Sequence, residues 1–135
     1  MAASLNFEAK KAEKYEDLVS SRKVGRIFTS YKSVYITAAI IALKLGLEGR
    51  QIGKRHDFIK VSSLSGNESR VLRHIALVHT RDPKMLTQVD DVYSITDELA
   101  NAGIDELFGL VNTGGDRLYS FVAHCKQNLW SPAVQ

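Results

Sequence analysis

The sequence predicts a mainly α-helical fold: a compact bundle of five to six helices around a central apolar helix at about residues 31–47. Three observations lead there. First, 135 residues with 44% apolar and 24% charged side chains suit one globular domain with a single core. Second, the run Val34–Leu47 is apolar except at Thr37, Lys44 and Gly46. A helix apolar on nearly all sides belongs at the centre of a domain, so Ile36, Ile40 and Leu43 are expected inside. The run is too short, and carries a charge, to be the stretch of about 20 apolar residues that spans a bilayer. Third, apolar residues recur at helical spacing through most of the remaining chain.

Taken in order, the first helix is expected over Phe7–Ser20. It is exposed and charged, with Phe7, Tyr15 and Leu18 as its anchors and Glu13 and Asp17 set against Lys10 and Lys14. A basic link, "SRKVGRIF", follows. Thr29 or Ser30 caps the central helix, and Gly46 and Gly49 are natural stops. Residues 50–65 are the least regular, and a period-two pattern adds a short β segment near 57–63. Ser65 or Asn67 caps a third helix at about Glu68–Thr80, with Val71, Leu72, Ile75, Ala76 and Val78 as its buried stripe.

Pro83 then opens a helix that runs to about Ala102, its missing N–H costing little in a first turn. Gly103 is expected to break it, and "IDELFGLV" forms a short further helix. "NTGG" is a turn. The last helix, Asp116–Leu129, carries Leu118, Phe121, Val122, Cys125 and Leu129 on one stripe. The tail at 131–135 should fray.

Charge is unevenly placed. Residues 1–84 hold 16 Lys and Arg against 8 Asp and Glu, a balance of +8. Residues 85–135 hold 2 against 7, a balance of −5. Two basic groups flank the central helix: Arg22, Lys23, Arg26 and Lys32 before it, and Arg50, Lys54, Arg55, His56 and Lys60 after it. Flexible cations beside glycine-bearing backbone suit phosphate contact, and these nine are the candidate nucleic-acid-binding residues. The plainer reading is a solvated basic face paired with the acidic second half, in the same chain or in a neighbouring subunit. No helix-turn-helix, zinc-finger or RNA-binding signature is present.

Catalytic signatures are missing as well. The four histidines, His56, His74, His79 and His124, fall in no metal-binding spacing, and no phosphate-binding loop, nucleophile elbow or dinucleotide fingerprint occurs. Asp90–Asp91 and Asp97–Glu98 read as a solvated acidic face. The single cysteine, Cys125, reads as a buried structural thiol; it excludes an internal disulfide and fits a reducing cytoplasm. The N-terminal segment has no apolar h-region, so no secretory signal is expected.

Four stretches together resemble a known family: "IFTSYKSVYITAAIIALKLGLEGR" (Ile27–Arg50), "FIKVSSLSGNES" (Phe58–Ser69), "HIALVHTRDPKML" (His74–Leu86) and "ITDELANAGIDEL" (Ile95–Leu107). Their order is similar to that of the small Dnd-system-associated proteins of the type-four group. Those proteins are encoded in bacteria beside genes for DNA phosphorothioate modification and its linked restriction machinery. The matching positions are Phe28, Leu45–Gly46, Asp82–Pro83 and the Glu98-to-Gly103 segment. They cover residues 27–107; the helix "DRLYSFVAHCKQNLW" is not matched. The resemblance brings over no active-site residues. It implies a cytoplasmic, non-enzymatic accessory protein of a DNA-modification or anti-phage defence locus, with no cofactor. The expected partner is the duplex DNA backbone or another defence-system protein, with no membrane contact, and a homo-oligomer is compatible with either.

Overall fold

The structure is a computed structural model and describes residues 4–8, 11–19, 28, 30–53 and 55–111. The expected NTGG turn, last helix and frayed tail lie outside the described residues, as does Cys125.

The described chain is mainly helical, with one two-stranded sheet. Its elements run β1 (Ser4–Glu8), α1 (Ala12–Val19), α2 (Tyr31–Lys44), β2 (Arg55–Lys60), α3 (Gly66–Thr80) and α4 (Val89–Val111), with 3-10 turns at Val61–Ser63 and Pro83–Leu86. The described residues thus form four α-helices rather than five to six.

The expected first helix is a strand in its first part. Phe7 lies in β1, and the helix begins at Ala12. β1 pairs antiparallel with β2 across about fifty residues of chain, with an irregularity between Leu5 and Asn6. Leu5, Phe7 and Ile59 are buried. The Phe7 ring stacks on Tyr15 of α1 at 4.2 Å between centroids, so β1 and α1 share one aromatic anchor. The β segment expected near 57–63 is β2, closed by the 3-10 turn that follows it.

Ser30 caps α2, its side chain accepting from the Ser33 N–H. The helix stops where Gly46 takes a positive φ of 69°. There Gly46 N donates to Leu43 O (3.2 Å) and Leu47 N to Ala42 O (2.9 Å), the paired bonds of a Schellman ending. Ser65 caps α3 through a complete capping box with Glu68.

α2 and α4 pack along their length and form the centre of the fold. Val34, Tyr35, Ala38, Ala39, Ile41 and Ala42 are buried on α2, facing Val92, Leu99, Ala100, Ile104 and Leu107 of the core. Gly103 does not break the helix: α4 runs through it to Val111. A Cβ at Gly103 would lie 1.9 Å from the Ala38 carbonyl oxygen, so the glycine is there to let two backbones touch. What reads as a helix from Pro83 is a 3-10 turn capped by Asp82, and α4 starts afresh at Val89.

α2 is not buried all round. Ile36 and Leu43 are half-buried, and Ile40 is 37% exposed. The apolar run serves two faces, one packed on α4 and the other left open beside α3.

Candidate partner-binding surface

Of the nine cations marked out by the sequence, two are held within the fold. Lys32, in the first turn of α2, donates to Ser63 O (2.8 Å) and to Glu68 Oε1 (3.0 Å). The Ser65 backbone N–H, and then Lys32, hold the Glu68 carboxyl below its usual range. Arg50 reaches Asp105 on α4 at 3.2 Å. Its loop is fastened to α4 as well: Arg50 N donates to Glu98 O (3.0 Å), and Asn101 Nδ2 donates to Arg50 O (3.0 Å) and Gln51 O (3.2 Å). Lys32 and Arg50 are thus anchored to different elements, one in the first turn of α2 and the other past the C-terminal end of that helix, which is roughly 20 Å long. Lys60 is exposed at the end of β2. Arg55 and His56 lie in β2, in register with Glu8 and Phe7. Arg22, Lys23, Arg26 and Lys54 lie outside the described residues.

Asp105 also collects Lys11 (3.1 Å) and Lys14. Partial burial pushes its carboxyl up, but the lysine hydrogen bonds and charges outweigh this and hold it below the ordinary range. Lys11 is itself buried and donates to Asn101 O at 2.7 Å. This cluster ties α1, the Arg50 loop and α4 together.

The acidic pair Asp97–Glu98 is not a solvated face. Asp97 is 3% exposed and accepts from Tyr35 OH (2.5 Å), Asn6 N (3.1 Å) and Asn6 Nδ2 (3.2 Å). It joins β1, α2 and α4 from inside. Its place was readable: four residues after Tyr93 and three before Ala100, it falls on the buried stripe of α4. Asp90 and Asp91 are exposed in the first turn, where they suit the positive end of the helix dipole. Among the described residues no group of three or more His, Cys, Asp and Glu side chains could hold a metal ion.

An open apolar groove lies between α2 and α3. Ile40, Leu43, Val71 and Ile75 line a groove of about 460 Å³, with Lys44, Arg70 and His74 around it. The expected stripe of α3 is buried only in part: Leu72, Ile75 and Ala76 are inside, whereas Val71 is 38% and Val78 44% exposed. On a helical projection the five apolar positions span roughly 160°, and the two valines lie together at one edge. That width was the available signal, since one packed face uses a narrower arc.

The sequence matches the family model described as DNA sulphur modification system-associated protein 4 over residues 6–127. The chain belongs to this family. The match reaches beyond residues 27–107 at both ends and takes in most of the C-terminal segment. No curated protein and no solved structure matches the chain. The family positions noted in the sequence are structural. Phe28 is buried, Leu45–Gly46 ends α2 and Asp82–Pro83 opens the 3-10 turn. Glu98, Asn101 and Gly103 fasten α4 to the Arg50 loop and to α2. Among the described residues no helix is long and apolar enough to cross a membrane.

Proposed function

We propose that this member of the family is a non-catalytic accessory subunit that works by docking another protein of its DNA sulphur modification system. The observation that carries this reading is the open apolar groove between α2 and α3. Aliphatic side chains left in water beside unpaired cations gain free energy when a protein surface covers them, whereas phosphates have no use for an apolar floor. Lys32 and Arg50 support the same reading, because carboxylates of the fold already hold them. In the test, the tagged chain is expressed with its locus and purified after nuclease treatment. A locus-encoded protein retained in constant ratio is the expected result. A chain that comes through alone rejects the adaptor role.

A second reading keeps direct DNA contact through Arg22, Lys23, Arg26, Lys32, Arg50, Lys54, Arg55, His56 and Lys60. It draws on the +8 balance of residues 1–84, on exposed Lys60, and on the Arg50 side chain, which remains 63% exposed despite its ion pair. It forecasts sequence-independent duplex binding that weakens steeply with salt. Neutralising Arg50, Lys54 and Arg55 together should then lower the salt slope by up to about 3, near 1 per lost phosphate contact. Equal binding by wild type and triple variant removes these loops as the site.

A further inference from the structure

We infer that the groove between α2 and α3 receives an acidic amphipathic helix of the partner protein, its apolar side on Ile40, Val71 and Val78 and its carboxylates on Lys44 and Arg70. The inference rests on the adaptor reading and adds the site and the chemistry of the occupant.

Shape and spacing support it first. Val71 and Val78 are seven residues apart on α3, two turns or about 10.5 Å along the axis. Ile40 stands across the groove on α2. Ile40, Leu43, Val71 and Ile75 line the groove, and exposed Val78 continues the Val71 edge of α3 beyond it, so the apolar surface accepts a third helix that presents anchors at i, i+3 or i+4, and i+7. An extended strand would need a free sheet edge for its backbone, and this surface is made of helices whose backbone groups are already bonded.

Charge supports it independently. The groove is lined by Lys44, Arg70 and His74 and by no acidic residue. Beyond Glu68, α3 carries Arg70, Arg73, His74 and His79 and no carboxylate. Elsewhere in the fold Lys11, Lys14 and Arg50 share Asp105, and Lys32 holds Glu68, so these four cations are already answered by carboxylates of the chain. The Arg70 guanidinium donates to the neutral amide of Asn67 at 3.1 Å, and no ion pair of Lys44 or His74 occurs among the described residues. Cations with no carboxylate partner around an apolar floor select an occupant that is apolar on one face and acidic at its margins.

The test uses the full chain purified with its locus. Ile40→Glu with Val71→Glu places two carboxylates on the groove floor, at positions exposed enough to accept them; Val78→Glu alone is the second variant. Each is compared with wild type for its urea midpoint and for the retained locus protein. A drop in retention of about tenfold or more at an unchanged midpoint is expected. Lys44→Glu with Arg70→Glu should weaken retention at low salt and remove its salt dependence. A photo-cross-linker at Val78 should reach a peptide of the locus protein that is rich in Asp and Glu and has apolar residues at helical spacing. Full retention by all the groove variants overturns the inference while leaving the adaptor role standing. Cross-links to DNA or to a second copy of the chain overturn it too. Absence of any retained protein with the wild-type chain removes the adaptor role itself.

Discussion

Replacing Gly103 by alanine places a methyl group where the two main helices touch. The new Cβ would lie 1.9 Å from the Ala38 oxygen and 2.7 Å from its carbonyl carbon. Ordinary contact begins at 3.4 Å, so α2 and α4 must part by about 1.5 Å at this point. A gap of 0.5–1 Å already forfeits a quarter to a half of the dispersion energy of the atoms facing it. The opposing atoms are backbone, which cannot swing aside as a side chain can. Overpacking of this kind costs about 1–3 kcal/mol and sometimes more, while alanine in a helix interior returns about 1 kcal/mol of propensity. A 1.9 Å approach to immobile backbone puts the cost at about 3 kcal/mol, the upper end of that range, so a net loss of about 2 kcal/mol is expected, read as a lower urea midpoint at unchanged slope. Gly109→Ala in the same helix is the control. Nothing lies within 4 Å of its added Cβ, so it should keep or raise the midpoint, by up to about 1 kcal/mol. A Gly103→Ala midpoint equal to or above that of wild type would show that the helices do not meet there, and the account of α4 as one continuous packed helix would fail.

Neighbouring isoleucines on α2 should behave differently: Ile41→Ala, at a buried site, costs about 2–5 kcal/mol, whereas Ile40→Ala, at the groove, costs less than about 1 kcal/mol, both read from urea midpoints. Burial and then the Asp97 charge raise the Tyr15 and Tyr35 hydroxyls above their ordinary value of 10, so their contribution to stability is whole below about pH 10 and falls as pH rises beyond it. Each should remove about 1.4 kcal/mol per pH unit there, and two of the five tyrosines should form tyrosinate only as the chain unfolds. The Asp105 carboxyl, held low chiefly by Lys14 and Lys11 against its burial, supports the fold above the usual carboxylate range and loses that support as pH falls through its own lower value. Asp105→Asn should therefore flatten the acid limb of a stability–pH curve and leave the alkaline limb unchanged.

Local signals carried much of the fold. The caps at Ser30 and Ser65 and the glycine stop at Gly46 depend on a few adjacent residues, and each stands at a position the sequence marks, whereas the helix expected from Pro83 is only a 3-10 turn. β1 was hidden because its reason is remote. Five residues beside a charged helix become a strand only when β2 arrives to pair with them, and Phe7 fits the helical spacing of Tyr15 and Leu18 equally well. Gly103 misleads for the same reason: a glycine in a helix looks like a break until the Ala38 carbonyl pressed against it is seen. Among the candidate site residues, Lys32 and Arg50 were legible as cations but not as partners of Glu68 and Asp105. The groove was missed because Ile40, Leu43 and Val71 have the composition of a core. Periodicity reports an apolar face and is silent on whether this chain or another one covers it.

The adaptor role is tested most directly by native mass spectrometry of the chain, purified after nuclease treatment from cells expressing its locus. A discrete mass equal to this chain plus a locus-encoded protein in fixed stoichiometry is the predicted result. A mass of the chain alone or of its multiples, or an association that vanishes with the nucleic acid, would contradict it.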